Sequence, residues 1–412
     1  MRPPALIRLY AVAANLIAPL AYRRIATKLK AQGTNPARLP ERMGRARLPR
    51  PKGPLIWFHA ASIGESLSIL RLITHMGAAN PTWWFLLTTG TATSAEVLAK
   101  RLPPRCVHQF APLDARAALR RFLDHWQPTA AIFVESELWP QMLSQTHARG
   151  IPLALINARL SDRSARRWKR FPKTARYLLG QFSLIQTQDS RTTAHLHDLG
   201  LSHAQTGQNL KSISGPLPYD AAELTHLRTT LSDRPLWLAL STHPDEDEIM
   251  LKAHKTLLKA HPDLLLILVP RHPARADRIE TLITDHGFQY EKRSTGGQIT
   301  CHTQVYLADT IGETGLWLAL SPITCICGSF TPMGGHNPYE PAHAGSAILH
   351  GGHITNFAQA YADLNANGGA VQMKNADELE KTLNKLLSTP AQLDQMRQNA
   401  RVFASQQDDT LE

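Results

Sequence analysis

The chain has 412 residues, 43% of them hydrophobic and 19% charged, a balance that excludes both a disordered protein and a multi-span membrane protein and gives room for two or three domains. Four cysteines in this length exclude a disulfide framework. The net charge of +12 is concentrated: residues 1–52 carry twelve Lys/Arg against the single acid Glu41, and residues 159–176 carry eight against Asp162.

The first of these basic zones surrounds LYAVAANLIAPLAY (residues 9–22), fourteen uncharged residues that as a helix reach only about 21 Å, short of a hydrocarbon core of about 30 Å. An uncleaved anchor or interfacial helix beside anionic lipid headgroups fits this pattern better than nucleic-acid binding, the alternative being an ordinary amphipathic helix packed on the body. A Pro/Arg-rich connector follows. Short apolar runs at 55–60, 83–89, 130–135, 152–157 and 182–187 then alternate with amphipathic stretches, the pattern of a doubly wound parallel sheet. The Gly/Pro-rich segment 207–235 reads as a linker, and a second alternating series has strands at 235–241, 264–270, 303–309, 323–329 and 346–351. We therefore expect an α/β chain of two Rossmann-like domains, whose strand carboxyl ends face a central cleft and hold the ligands.

Candidate chemistry clusters where those strands end. In WFHAASIGES, Gly64 permits a tight turn after Ser62, and Glu65 arrives at a helix start, either as a base for a sugar hydroxyl or as a first-turn acid stabilised by the helix dipole. In FVESELWP, Glu135 and Glu137 either bind hydroxyls and position a base or cap the next helix. In NARLSDRSARRWKRFPK, Arg159 and Arg163 are candidates to reach into the cleft, and the later positive charges form a solvated face. In the second half, STHPDEDE and VPRHPAR place Ser241, Thr242, Arg271 and His272 where a phosphate is held. DTIGETGLW puts a glycine turn before a helix. In SFTPMGGHNPYEPA, Gly334 and Gly335 allow close backbone approach, and Asn337 and Glu340 lie one helical turn apart, with Glu340 suited to a ribose diol. No HExxH, paired CxxC, GxxxxGK[ST] or post-strand GxGxxG occurs, which argues against a metal site, kinase or ATPase chemistry and hydride transfer.

Taken together, WFHAASIGE, ESELWP, NARLSDRS, STHPDEDE, PRHPAR, DTIGETGLW and GGHNPYEPA resemble the motifs of the 3-deoxy-D-manno-octulosonic acid (Kdo) transferases of lipopolysaccharide biosynthesis, over nearly the whole chain. The resemblance implies a GT-B glycosyltransferase: residues 1–30 a membrane anchor or interfacial helix, 31–212 the acceptor domain and 213–412 the CMP-sugar-binding domain. It implies inverting transfer of Kdo from CMP-Kdo to the lipid A precursor (lipid IVA) without a metal or other cofactor, at the cytoplasmic face of the inner membrane, with membrane lipids and no nucleic acid as partners. By the same resemblance Glu65 is the general base and Glu137 a second acceptor-side carboxylate. Donor binding falls on Ser241, Thr242, Arg271, His272, Gly312, Glu313, Gly335, His336, Asn337 and Glu340. The family block TGNLK appears as TGQNLKS (206–212), with an extra residue that leaves the roles of Asn209 and Lys211 open. The alternatives are a GT-B enzyme using another nucleotide sugar and a noncatalytic membrane-surface binding protein.

Overall fold

The computed structural model describes residues 2–212 and 215–408, and the chain divides into two compact units, Met1–Ser214 and Gly215–Thr410. Residues 213–214, inside the expected linker, and 409–412, at the end of the expected second domain, lie outside the described residues.

The first unit is built on seven parallel strands: β1 (Leu55–His59), β2 (Trp84–Thr89), β3 (Cys106–Phe110), β4 (Ala130–Val134), β5 (Leu153–Ala158), β6 (Leu184–Thr187) and β7 (Ala204–Thr206). Their order, β3-β2-β1-β4-β5-β6-β7, reverses between β1 and β4. Such an order arises when right-handed crossovers first wind one way and then the other, laying helices on both faces. Burial on both faces is why β1 reads LIWFH with every residue inside. Trp57, Phe122, Trp126 and Phe133 fill one side of the sheet and Phe58, Ile69, Phe85 and Val134 the other.

The second unit repeats the design with β8 (Leu236–Thr242), β9 (Leu265–Pro270), β10 (Tyr290–Lys292), β11 (Val305–Leu307), β12 (Ile323–Ile326), β13 (Ala347–His350) and β14 (Ala370–Gln372), in the order β10-β11-β9-β8-β12-β13-β14. Here the reversal falls between β8 and β12. Trp237 and Leu266 face one core, Trp317 and Tyr306 the other.

Four strands go beyond the ten expected, and all four are sheet edges: β3, β7, β10 and β14. Three of them are only three residues long and partly exposed, so no apolar run marks them. The expected linker also contains a helix, Ala221–Leu231, capped by the Asp220 carboxylate and buried through Leu224, Leu227 and Leu231.

The N-terminal helix, Ala5–Ala31, overturns the length argument made from residues 9–22, since 27 residues reach about 40 Å. It continues through Pro19, and by length and composition it is long and apolar enough to cross a membrane. One side packs on the first unit through Ile7, Ala18 and Leu29, and Asn15 Oδ1 accepts from the Arg116 backbone N–H at 2.7 Å. Leu6, Leu9, Val12, Leu16, Ile17 and Leu20 remain exposed, a stripe at helical spacing that continues into Arg23, Arg24, Lys28 and Lys30.

Candidate active site

In both units the candidate residues gather beyond the carboxyl ends of the strands flanking the reversal of strand order, where adjacent loops turn to opposite faces and leave a crevice.

In the first unit, Ser62 is the N-cap of helix Ile63–Ala79: its Oγ accepts from the Glu65 N–H at 3.3 Å and donates to Glu65 Oε1 at 2.8 Å. Glu65 Oε2 accepts from the Ala61 N–H at 2.8 Å, one residue before the N-cap, so the carboxylate folds back over the end of β1 much as in a capping box. Capping and chemistry are therefore compatible roles for one side chain. Burial raises the Glu65 carboxyl above the ordinary carboxylate range, helped by the negative charges of Glu135 and Glu137, although the bonds from Ser62 and Ala61 pull it down. A carboxylate so tuned is a stronger base than one in water. Gly64 does not act as expected. It lies within the first helical turn without a left-handed backbone, and open space surrounds the position of a Cβ, so its smallness leaves the approach to Glu65 clear.

Across the reversal, Glu135 ends β4 with φ +57°, a left-handed conformation unusual for a non-glycine residue. Its Oε1 is 2.5 Å from Lys211 Nζ. Glu137, two residues on, accepts from Trp139 Nε1 at 2.6 Å and has Nε2 of the buried His59 at 3.4 Å, an ion-pair distance too long for a good hydrogen bond. Burial alone raises the Glu137 carboxyl, but the proton-bearing groups of His59 and Trp139 outweigh it and hold it below the ordinary range. The two acids on either side of the reversal are thus pushed apart, Glu65 toward binding a proton and Glu137 toward remaining ionised. Ser136 Oγ donates to the Arg159 carbonyl at 2.6 Å, which brings the β5 end to this cluster. Arg163 stands apart, exposed on helix Asp162–Lys169.

Sequence reasoning passed over His59 and Asn157. Both read as strand core, and only the fold turns them toward the site. His59 Nδ1 is 3.0 Å from Thr88 Oγ1. Asn157, at φ +52° and fully buried, accepts from the Leu210 N–H at 3.0 Å and so ties the TGQNLKS block to the end of β5.

In the second unit, Ser241 has φ +61° at the end of β8, and the Thr242 carbonyl accepts from the Arg271 N–H and from Arg275 Nη1 at 3.0 and 2.8 Å. Thr242 Oγ1 is buried and unpaired among the described residues. Below them, the fully buried Glu246 carboxylate accepts four backbone N–H groups, from His243, Gly328, Ser329 and Phe330, clamping the loop after β8 to the loop after β12. His243 and His336 meet across the reversal, Nε2 to Nε2 at 2.9 Å with rings nearly parallel, and His272 lies edge-on to His243. Burial, then Arg271, pushes His336 down to about 4; burial likewise lowers His243 despite the opposing charge of Glu246. The pair therefore shares one N–H at neutral pH and leaves the exposed Arg271, which has no ion pair among the described residues, as the fixed positive charge.

The glycine-rich loop does adopt the expected backbone: Gly334 and Gly335 have φ +92° and +77°, and a Cβ on Gly334 would strike Asn356 at 2.7 Å. Asn356 Nδ2 donates to the Met333 and Gly335 carbonyls and Tyr361 Oη to the His336 carbonyl, so the loop is braced. Asn337 Nδ2 donates to Glu340 Oε1 at 3.0 Å, aligning the two as one polar edge. Gly312 has φ +92° in open space, as a ligand-facing turn requires. Glu313 is more occupied than expected: it pairs with Arg293 through both oxygens, at 2.6 and 3.1 Å, and accepts from Thr310. These bonds hold its carboxyl low in spite of burial. Arg293 also bonds Glu223 of the linker helix at 2.7 Å and lies over Trp317, so Glu313 braces that corner of the fold.

A family model described as 3-deoxy-D-manno-octulosonic-acid transferase (kdotransferase) matches residues 37–213. The chain is 35% identical over 360 residues to the 3-deoxy-D-manno-octulosonic acid transferase of Rickettsia felis, covering 87% of this chain and 77% of that one. It is 36% identical over 364 residues to the enzyme of the same description from Haemophilus influenzae, covering 85% and 84%. Among solved structures, a glycosyltransferase from Rickettsia africae superposes with a TM-score of 0.58 at 10% identity, covering 86% of this chain and 94% of that one, a likeness of fold alone.

Proposed function

Because the chain belongs to the 3-deoxy-D-manno-octulosonic acid transferase family and is a glycosyltransferase of GT-B architecture, we propose that it moves Kdo from CMP-Kdo to the lipid A precursor, lipid IVA, with inversion at the anomeric carbon. The observation that carries this reading is the divided pair of acids beyond the ends of β1 and β4: Glu65, half-buried and raised, opposite Glu137, held low by His59 and Trp139.

In this scheme Glu65 accepts the proton of an acceptor hydroxyl as its oxygen bonds the anomeric carbon. The bond from that carbon to phosphate breaks, and CMP departs with the electron pair. A positioned base of this kind contributes about 10² to 10⁴ in rate. Glu137 holds a neighbouring hydroxyl, with Ser62, Glu135 and Arg159 setting the acceptor side. On the donor side, the exposed Arg271 meets the phosphate, beside loops that the buried Glu246 carboxylate clamps together. Asn337 and Glu340 take the ribose hydroxyls, and Gly312 and Gly335 let the backbone approach. Residues 31–212 then form the acceptor domain and 213–412 the donor domain, while residues 1–30 hold the enzyme on the cytoplasmic face of the inner membrane. The exposed apolar stripe, running into four basic residues, supports the last assignment.

The test is mass spectrometry of tetraacylated lipid A precursor incubated with the protein and CMP-Kdo generated in situ. Wild type adds one or more Kdo increments. Glu65→Gln adds none, while CMP still raises its unfolding temperature. Loss of CMP protection together with unfolding in Glu65→Gln assigns the residue to folding instead, and no increment from wild type refutes the acceptor or the donor.

A further inference from the structure

The N-terminal helix does more than lie against the first unit. Between it and helix Pro140–Ala148 runs a groove of about 180 Å³, with Ile7, Ala11 and Pro140 as apolar walls and Arg8 and Arg116 on its lining. Sites that enclose a whole small molecule measure about 300–1,000 Å³, so this one suits a single segment of a larger ligand. Both arginines are exposed and neither has an ion pair among the described residues. Gln145, also on the lining, has a buried Nε2 with no hydrogen-bond partner among the described residues. An apolar slot with two uncompensated cations and one orphaned donor is complementary to an acidic amphiphile.

Its walls are fixed to the chemistry. Asp114 accepts from the Gln141 and Met142 N–H groups at 3.1 and 2.6 Å, pinning the start of helix Pro140–Ala148, and Tyr10 of the N-terminal helix bonds the same carboxylate. Pro140 follows Trp139, which is 43% exposed and donates to Glu137. Only two residues, Leu138 and Trp139, thus separate the candidate acceptor-side carboxylate Glu137 from the groove wall at Pro140. The outer side of the N-terminal helix carries the apolar stripe, so a lipid reaching the groove stays beside the surface that the stripe faces.

We propose that this groove is a subsite for the acceptor lipid, taking part of one acyl chain between Ile7, Ala11 and Pro140 while Arg8 and Arg116 hold a phosphate of the same molecule. The inference rests on the transferase reading above and specifies which part of the acceptor the N-terminal helix recognises. It makes the helix part of substrate recognition as well as of membrane attachment.

The test uses the full chain, CMP-Kdo generated in situ and two acceptors: the tetraacylated bisphosphorylated glucosamine disaccharide and its fully deacylated counterpart. Ala11→Phe fills the slot and is expected to lower the ratio of kcat/KM for the acylated acceptor to that for the deacylated one at least tenfold. Ser144→Leu, filling it from the opposite wall, repeats the measurement on a second element. Arg8→Glu with Arg116→Glu is expected to raise KM for the bisphosphorylated acceptor at least tenfold against its dephosphorylated form. Unchanged ratios in variants that CMP still protects against heat overturn the subsite. If wild type transfers to neither acceptor, the transferase reading fails separately. The groove is then judged by loading of the acylated disaccharide into phosphatidylcholine nanodiscs and capture of the protein: equal capture of wild type and Ala11→Phe overturns it. Capture by phosphatidylglycerol nanodiscs as tight as by the disaccharide overturns it too, since the groove is then a general anionic-lipid contact.

Discussion

Glu246 offers the sharpest test of how the second unit is assembled. Its Oε1 accepts from Ser329 and Phe330 at 3.1 and 3.0 Å, and its Oε2 from His243 and Gly328 at 3.0 and 2.7 Å, with no solvent exposure. Glu246→Gln keeps the shape but turns one oxygen into an NH₂ group aimed at two N–H donors. Two charge-assisted bonds are lost, at about 1.5–3 kcal/mol each, so the loss is about 3–6 kcal/mol. A domain's whole stability is about 5–15 kcal/mol, so the variant should unfold at markedly lower urea. The Gly328–Phe330 and His243 loops separate first, because this carboxylate is what joins them. Urea denaturation followed by tryptophan fluorescence measures the midpoint, and isothermal titration with CMP measures the site. A midpoint equivalent to less than about 1 kcal/mol of destabilisation, with CMP affinity intact, would refute the argument that these four bonds hold the donor loops together.

Two further outcomes follow from the same geometry. His336 titrates near 4 in the folded chain against about 6.5 unfolded, so the unfolded state binds more protons between those values and stability falls as pH drops through that window. His336→Gln should flatten this part of the pH–stability curve, and a curve identical to wild type contradicts the shared-proton pair. Arg271→Ala should raise KM for the donor about tenfold or more, consistent with loss of a charge-assisted bond of roughly 1.5–3 kcal/mol, while kcat for bound substrate changes less. An unchanged donor KM in steady-state assays removes Arg271 from the phosphate site.

The alternation of buried strands and amphipathic helices was written in the chain because a strand covered on both faces must be apolar throughout, as LIWFH and LLILVP are. Edge strands such as YEK at residues 290–292 escape that demand, since they are half solvated and held by ladder bonds to one neighbour. Glu65, Glu137, Arg271 and the glycines of the GGHN loop were legible for a related reason: a polar or glycine residue directly after an apolar run marks a strand's carboxyl end. The run at residues 9–22 was legible as membrane-seeking, but not the helix's full length, because an uncharged run stops at the first charge whereas the helix continues through Arg23, Arg24, Lys28 and Lys30 to Ala31.

What a linear reading cannot supply is which loop meets which. Local chemistry proposes that Glu65 is acidic and near a helix start; only the winding of the sheet places Glu135 and Glu137 close enough to raise it, and His59 close enough to keep Glu137 ionised. The same holds for His243 and His336, 93 positions apart and in contact because β8 and β12 are neighbours. Glu313 shows the reverse case, a residue whose motif suggests a ligand and whose carboxylate the fold commits to Arg293. Strand burial and turn formation depend on a few adjacent residues and are encoded locally. Proton affinities and shared bonds depend on charges brought together from distant segments, where the electrostatic energy varies with separation and burial, and those are fixed only when the chain has folded.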